Sequence, residues 1–389
     1  MPGTGTPFPG TPEWYEWLKD NYRGRDYKKW FHQLQNRGVQ LQLGKAYGKH
    51  NVLTTWTYDR AKADHWFNPE DPDIYGVQMV RHERPTLSGY VQDKIFISDK
   101  WELTPSLRYV RYGAADVTYV DMDTDEYTSV HIGSAHALTP SLNTQYAFDD
   151  KTSAYFGWSH VYRPIKVEDH WDPYDNVFSR LRDEKGDVWT LGMRRELSPK
   201  TTAAVNYDYT RMSNAVVSYP VWNEDYQEYA VGVNARELKK SFNVSVQHQF
   251  NKHLTLNANY SHAFDEYSAK NGLKFKSGLT VNEGNINSVI NKLRPANVYI
   301  ADLAYENRRL YTSLAATWYT GSNTTAYTSS RALILDLNVN YAVTDDMTVY
   351  ASVTNLTNQA YQTLYTRYMG KNAWPQPGRA VIFGVKYKF

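Results

Sequence analysis

Cysteine is absent from all 389 residues. That excludes a disulfide framework, a thiolate zinc site and thiol catalysis, and it says nothing decisive about compartment. Long apolar runs are missing as well. No stretch approaches the roughly 18 to 20 uninterrupted apolar residues that a membrane-spanning helix needs, and the mean hydropathy of −0.65 is that of a water-soluble chain. No dense Lys/Arg block stands out, and the net charge is only +2. The electrostatic footprint of a nucleic-acid binder is therefore lacking, and no nucleic acid is expected as a partner. The leading residues, MPGTGTPFPGTPEW, have neither a basic n-region nor an apolar h-region, so no export signal is read there. There is no Gly-rich phosphate loop and no G-x-S-x-G nucleophile elbow.

Aromatic residues, in contrast, are abundant, with 33 Tyr and 12 Trp. Tyr and Trp suit a membrane interface, where an apolar ring and a polar tip are both satisfied. A low hydropathy average does not argue against a membrane protein built from strands. A barrel strand crosses with about 9 to 11 residues, and every second side chain faces a polar lumen, so a sliding window averages its signal away.

From about residue 39 the chain repeats one unit: an alternating stretch of about ten residues, a short polar turn, a second alternating stretch, then a long polar loop. Phe242, Val244, Val246, His248 and Phe250 lead through Asn251-Lys252 into Leu254, Leu256, Ala258 and Tyr260, while Asn257, Asn259 and Ser261 take the opposite face. Similar tight turns fall at 48–50, 98–100, 148–151, 198–200, 306–308 and 343–346. The connections between these hairpins are longer, at 60–83, 113–130, 164–185, 213–228, 266–296, 321–330 and 357–378. Short turns alternating with long loops are the signature of an outer-membrane barrel, with the turns periplasmic and the loops outside. A soluble sandwich or propeller would not sort its connections by length in this way. The expectation is an all-β fold, a transmembrane antiparallel β-barrel. Seven hairpins and a lone last strand make about fifteen strands, an odd number where a single-chain bacterial barrel has an even one.

Residues 1–36 do not follow the strand pattern. Thr11-Pro12-Glu13 reads as an N-cap, a proline at N1 and an acidic first turn, and Trp14, Trp17, Leu18, Tyr27, Trp30, Phe31 and Leu34 fall at helical spacing. The expectation is a helical segment of an extracellular loop, with an aromatic-rich, irregular leading segment as the alternative.

Near the C-terminus, Val353-Thr354-Asn355-Leu356 and Tyr361 precede a polar loop, then Pro377-Gly378-Arg379 and the strand that ends at Phe389. This order resembles the end of TonB-dependent outer-membrane receptors, where a V-x-N-L-x-x-x-x-Y strand end is followed by a PGR turn into the last strand. Ser88 to Asp93, Leu103 to Tyr109, Leu138 to Tyr146, Ala154 to Ser159 and Tyr162-Arg163-Pro164 are similar too, so the resemblance runs from about residue 85 to the end. It implies a barrel of about 22 strands with an N-terminal plug and a segment that recruits the TonB complex. Neither plug nor TonB segment is recognisable here. Residues 37–389 then read as the C-terminal portion of the barrel, with the plug and roughly the first seven strands lying outside these residues, which accounts for the odd count.

The resemblance further implies uptake of a chelate, an iron-siderophore rather than haem. The Phe-Arg-Ala-Pro stretch of haem receptors is here Tyr162-Arg163-Pro164, and no Asn-Pro-Asn-Leu follows. The candidate ligand residues are Tyr162, Arg163, His170, Trp171 and Tyr174, in the segment densest in charge and rings. A guanidinium pairs with carboxylate or phenolate oxygens and stacks on flat groups. The plainer reading is a solvated loop whose arginine anchors its neighbours. The eleven histidines form no ligand-spaced cluster. His131 and His136 point to opposite faces of a strand, and His65, His82 and His170 are single loop residues. No protein-bound metal and no cofactor are expected, since iron would arrive chelated, and the scattered carboxylates read as solvating charge rather than an acid/base pair.

In the last strand Val381, Phe383, Val385, Tyr387 and Phe389 form one row, opposite Ile382, Gly384, Lys386 and Lys388. The row is expected to face outer-membrane lipid, and in similar barrels such an ending is the signal read by the barrel-assembly machinery. The alternative function is a passive, porin-type channel. A barrel enzyme of the lipase kind would need a Ser/His pair close in space on the outer surface, and no enzyme activity is expected.

Overall fold

A computed structural model describes residues 31–66, 77–172, 177–178, 181–217, 220–222, 227–229, 233–268, 273–274, 280–281, 295–322, 327, 329–364 and 374–388. Seventeen antiparallel strands form one sheet: β1 Phe31–Tyr47, β2 His50–Trp66, β3 Val77–Ser98, β4 Trp101–Tyr112, β5 Ala115–Asp121, β6 Tyr127–Ile132, β7 Ala135–Asp149, β8 Thr152–Arg163, β9 Glu184–Ser198, β10 Thr201–Val217, β11 Val233–Gln249, β12 Leu254–Ser268, β13 Asn297–Glu306, β14 Leu310–Thr320, β15 Arg331–Ala342, β16 Met347–Thr354 and β17 Ala380–Tyr387. Fifteen of them pair each with the next around the sheet, from β1 to β4 and then from β7 to β17. The remaining two, β5 and β6, are a hairpin added to the far end of β3, where His82 pairs with Val117.

The fifteen-strand walk matches the count read from the hairpin turns. The segment 113–130, expected to be a loop, instead carries β5 and most of β6. The alternation of Val117, Tyr119, Val130 and Ile132 lets this hairpin bury its own small core, which a solvated loop could not do. Strand β1 begins at Phe31, so Phe31 and Leu34, grouped by helical spacing above, lie in a strand. Pairing with β2 across the whole of β1 supplies backbone partners there, and these outweigh a local helical period. The rest of the expected helical segment, residues 1–30, lies outside the described residues. His65 and His82, expected on loops, sit on the far ends of β2 and β3 with ring centroids 6.4 Å apart.

Each strand has an apolar and a polar face, and the pairing register keeps the faces aligned. One face carries Leu41 beside Trp56, Leu191 beside Tyr207, Tyr299 beside Trp318, and Val349, Ala351 and Val353 beside Val385, Phe383 and Val381. Large side chains on this face stand open: Leu191 is 59% exposed and Phe383 82%. The opposite face is polar and hydrogen-bonded. Asp208 accepts from Thr190 Oγ1 at 2.7 Å, Asn206 Nδ2 at 2.8 Å and Ser241 Oγ at 3.0 Å, and Ser352 Oγ donates to Asn338 Oδ1 at 2.7 Å. Exposed apolar side chains outside and satisfied polar ones inside reverse the order of a water-soluble protein. The arrangement suits a sheet with lipid on one side and an aqueous lumen on the other.

Glycines on the inner face make room for rings. Tyr350 lies across Gly384, where an added Cβ would come within 2.5 Å of its hydroxyl and 2.6 Å of Cζ, and Tyr155 lies across Gly192 in the same manner. A ring laid over a cross-strand glycine covers backbone that would otherwise have no side-chain packing.

Candidate functional site

The strands of the wall are longer at the end with the long connections. Around β8, β9 and the segment between them these extensions gather charged and aromatic side chains. Tyr162 and Arg163 close β8, and Asp183 immediately precedes Glu184, which opens β9, two strands that pair from Arg163–Glu184 downward. Tyr162 Oη donates to Asp183 Oδ2 at 2.5 Å, and the other Asp183 oxygen accepts the Ile165 N–H at 3.0 Å. Arg163 Nε donates to Glu184 Oε2, and Glu184 Oε1 accepts the Val216 N–H at 2.8 Å. The Arg163 side chain is 63% exposed, whereas that of Glu184 is only 6% exposed. The buried carboxylate thus holds the Nε edge of a guanidinium on a side chain that is itself largely exposed.

Strand β10 shifts register between Met212 and Ala215. On the other side of β10, beyond the last ladder pair Gly186–Met212, side chains carry the contact: Ser213 Oγ donates to the Lys185 carbonyl at 3.0 Å and Asn214 Nδ2 to the Asp183 carbonyl at 3.2 Å. A bulge of this kind re-aims the strand end toward its neighbours. Asn234 of β11 extends the belt, donating to the carbonyls of Arg182 and Asn214, each at 2.9 Å.

Trp171 does not present its ring to the exterior. It is 7% exposed and packs on Tyr119 at 4.6 Å between ring centroids, within the cluster of Val117, Val130 and Ile132. The segment 164–172, with a single 3₁₀ turn at Val167–Asp169, is thereby tied down over the β5–β6 hairpin. His170 is beside it, half-buried, with Nε2 making no hydrogen bond. Tyr174 lies outside the described residues. The structure therefore brings Tyr162, Arg163, His170 and Trp171 to one region but gives them different surroundings, and only the Arg163 guanidinium is open.

Several residues essential to this region were not singled out above. Arg84, 8% exposed, donates from Nε to the Gly113 carbonyl at 3.0 Å and lies 5.5 Å from the Tyr112 ring, whose centroid is 6.4 Å from that of Tyr162. Asp183 and Glu184 are the acceptors on which Tyr162 and Arg163 depend. None has a local signature: Arg84 is some eighty residues from the loop it supports, and its role follows from strand pairing alone.

Burial and the nearby Arg84 guanidinium hold the His170 imidazole below its ordinary value. A released loop would titrate near the usual pKa of about 6.5, whereas the docked loop resists protonation. Docking is therefore expected to be unaffected above that range and to weaken as pH falls through it. Hydrogen exchange of residues 165–172, corrected for the intrinsic rate, should speed up between about pH 7.5 and about pH 5.5. His170→Phe, which fills the space without titrating, should lose that pH dependence; an unchanged dependence would mean another group is responsible.

On the inner wall a recess of about 430 Å³ lies among Lys94, Glu102, Asn143, Gln145, Tyr155 and Thr190, with Lys94 Nζ 2.8 Å from Glu102 Oε2. Among the described residues no group of three or more His, Asp or Glu is arranged to hold a metal ion. A single antiparallel sheet with one apolar and one polar face is the wall of a transmembrane β-barrel.

A family model, TonB dependent receptor-like, beta-barrel, matches residues 3–356, and the chain belongs to that family. No curated protein sequence matches it. Among solved structures it is similar to the ferric yersiniabactin uptake receptor FyuA of Yersinia pestis, with a TM-score of 0.69 at 14% identity over 92% of this chain and 54% of that one. The siderophore receptor PiuA of Acinetobacter baumannii aligns with a TM-score of 0.66 at 14% identity, over 92% of this chain and 56% of that one. The copper transporter OprC gives 0.65 at 12%, over 92% and 59%. At such identities the likeness is one of fold, and the chain spans little more than half the length of these structures.

Proposed function

We propose that this chain forms a wall and outer loops of an outer-membrane receptor that takes up a metal chelate, an iron-siderophore in preference to haem, with transport energised through the TonB complex. The observation that carries this reading is the family match along residues 3–356. Neighbours whose names include siderophore and ferric uptake receptors support a chelate as cargo. Within the outer belt, Arg163 is the residue we assign to ligand contact. Its side chain is largely exposed and its Nε is held by a buried carboxylate, so the guanidinium is oriented before a ligand arrives. Tyr162, fixed to Asp183, and His170 lie in the same region, Trp171 anchors the loop, and Tyr174 belongs to the same segment. Carboxylate or phenolate oxygens on a ferric chelate would accept from the open edge of the fork.

In the last strand, Val381, Phe383, Val385 and Tyr387 share the apolar face with β16, and with Phe389, which lies outside the described residues, they form the proposed signal for the barrel-assembly machinery.

The test is binding of a panel of ferric chelates to the full chain in detergent, read by quenching of tryptophan fluorescence. A ferric siderophore should bind and haem should not, and Arg163→Ala should weaken siderophore binding about tenfold or more, in line with loss of a charge-assisted contact worth about 1.5–3 kcal/mol. Energy-independent flux of small solutes through planar bilayers, without chelate binding, would favour a passive channel instead.

A further inference from the structure

The apolar face of β10–β12 ends in a group of cations that no described residue neutralises. Lys240 pairs across the sheet with Tyr209, Arg211 with Leu238, and Arg236 with Ser268. Among the described residues, none of these three cationic side chains makes a hydrogen bond or ion pair. Glu266, opposite Leu238, is the one carboxylate among the described residues that line this place, and with Tyr209, Arg211, Arg236, Leu238 and Ser268 it bounds a recess of about 270 Å³.

The height of the group follows from the register. Arg211 comes ten residues after Thr201, which follows the short turn of its hairpin. At about 3.3 Å per residue and a tilt near 40°, ten residues rise about 25 Å, the height of the apolar band of such barrels. Below Arg211 on the same face stand Tyr207, Phe242, Val205, Val244 and Tyr260. Tyr209 and Trp189, with ring centroids 5.4 Å apart, stand at its upper edge. The cations thus climb from the upper aromatic girdle into the headgroup layer on the side of the long loops.

We propose that this face binds the phosphorylated headgroup of an outer-leaflet lipid, with Arg211, Arg236 and Lys240 donating to phosphate and the aliphatic and aromatic stripe below receiving the acyl chains. Guanidinium forks match phosphate oxygens, and basic clusters at the membrane surface attract anionic headgroups. Glu266 disfavours an anion on its side of the recess and so sets the phosphate toward the arginines. The apolar stripe directly beneath favours a phosphate carried on lipid over a free one. This inference rests on the membrane placement of the barrel and is independent of the chelate reading, since it concerns the opposite face of the wall.

The test uses the full chain extracted from outer membranes in a non-ionic detergent and exchanged with acyl-matched glycolipids that carry or lack phosphate, with retained lipid counted by native mass spectrometry. The phosphorylated lipid should be retained at least about tenfold better, as expected where several cations face one anionic headgroup at a membrane surface. The combined variant Arg211→Gln, Arg236→Gln, Lys240→Gln should lose this preference. Glu266→Gln, which removes only the opposing charge, should strengthen it, and this arm does not depend on how the triple variant folds. Salt at about 1 M should weaken retention, and inorganic phosphate should not displace the lipid. Equal retention of the two lipids, an unchanged preference in the triple variant, or displacement by inorganic phosphate would overturn the proposal.

Discussion

Asn355→Ala is expected to be the most damaging single change at the junction between the last two strands, costing about 2–4 kcal/mol of stability. Asn355 is 3% exposed and has φ of +50°, a left-handed conformation that Asn tolerates far better than Ala. Its Nδ2 donates to the Gln359 carbonyl at 2.9 Å and the Pro377 carbonyl at 3.3 Å, and its Oδ1 accepts the Gln359 N–H at 2.8 Å. Its own N–H donates to Asp336 Oδ1 at 2.7 Å. One side chain therefore ties the end of β16 to the residues that lead into β17, and Asn358 repeats the device by accepting the Arg379 N–H at 2.9 Å. Thermal unfolding of the full chain in detergent, followed by the loss of β circular dichroism, should show a lower midpoint for Asn355→Ala. Asn355→Gly keeps the backbone conformation and loses only the hydrogen bonds, so it should recover part of the difference. If alanine and glycine both behave as wild type, the clamp is not a source of stability.

Gly186→Ala should be comparably costly, about 2–4 kcal/mol, for a steric reason. A Cβ at Gly186 would press on the Arg211 carbonyl oxygen and lie 2.6 Å from Met212 Sδ and 2.8 Å from Met212 Cα. Two of these neighbours are backbone atoms of the paired strand, so relief requires β9 and β10 to separate. They would separate beside the bulge that carries Ser213 and Asn214, two residues from Glu184. The belt around Arg163 should therefore loosen with the strands. Hydrogen exchange should rise in 184–190 and 210–217 together, and any affinity that rests on the proposed Arg163 contact should fall with it. Protection that remains at the wild-type level in both segments would show that the sheet absorbs the methyl without strand separation.

Much of this architecture was legible in the sequence because its causes are local. The turns at 48–50, 98–100, 251–252 and 343–346 are marked by residues that accept turn geometry, and the period of two between them specifies which side chains share a face. The resemblance at Asn355 and Pro377-Gly378-Arg379 pointed to the family, and the structure supplies its physical meaning as a hydrogen-bonded clamp. The β5–β6 hairpin was read as a loop because its strands are only 7 and 6 residues long and follow β4 almost without a break. The outer belt was legible only as a concentration of charge and rings.

The sequence by itself thus determined the wall: an alternating chain with short and long connections in regular succession has one way to satisfy its backbone while turning apolar side chains to lipid. Only the tertiary structure decided the outer belt. Trp171 is buried because β5 and β6 come to lie beneath it, Arg163 is oriented because Glu184 arrives 21 residues later on the neighbouring strand, and Arg84 supports the loop from β3. These contacts join residues far apart in the chain, and they exist only once the strand register has been set by pairing along the whole sheet.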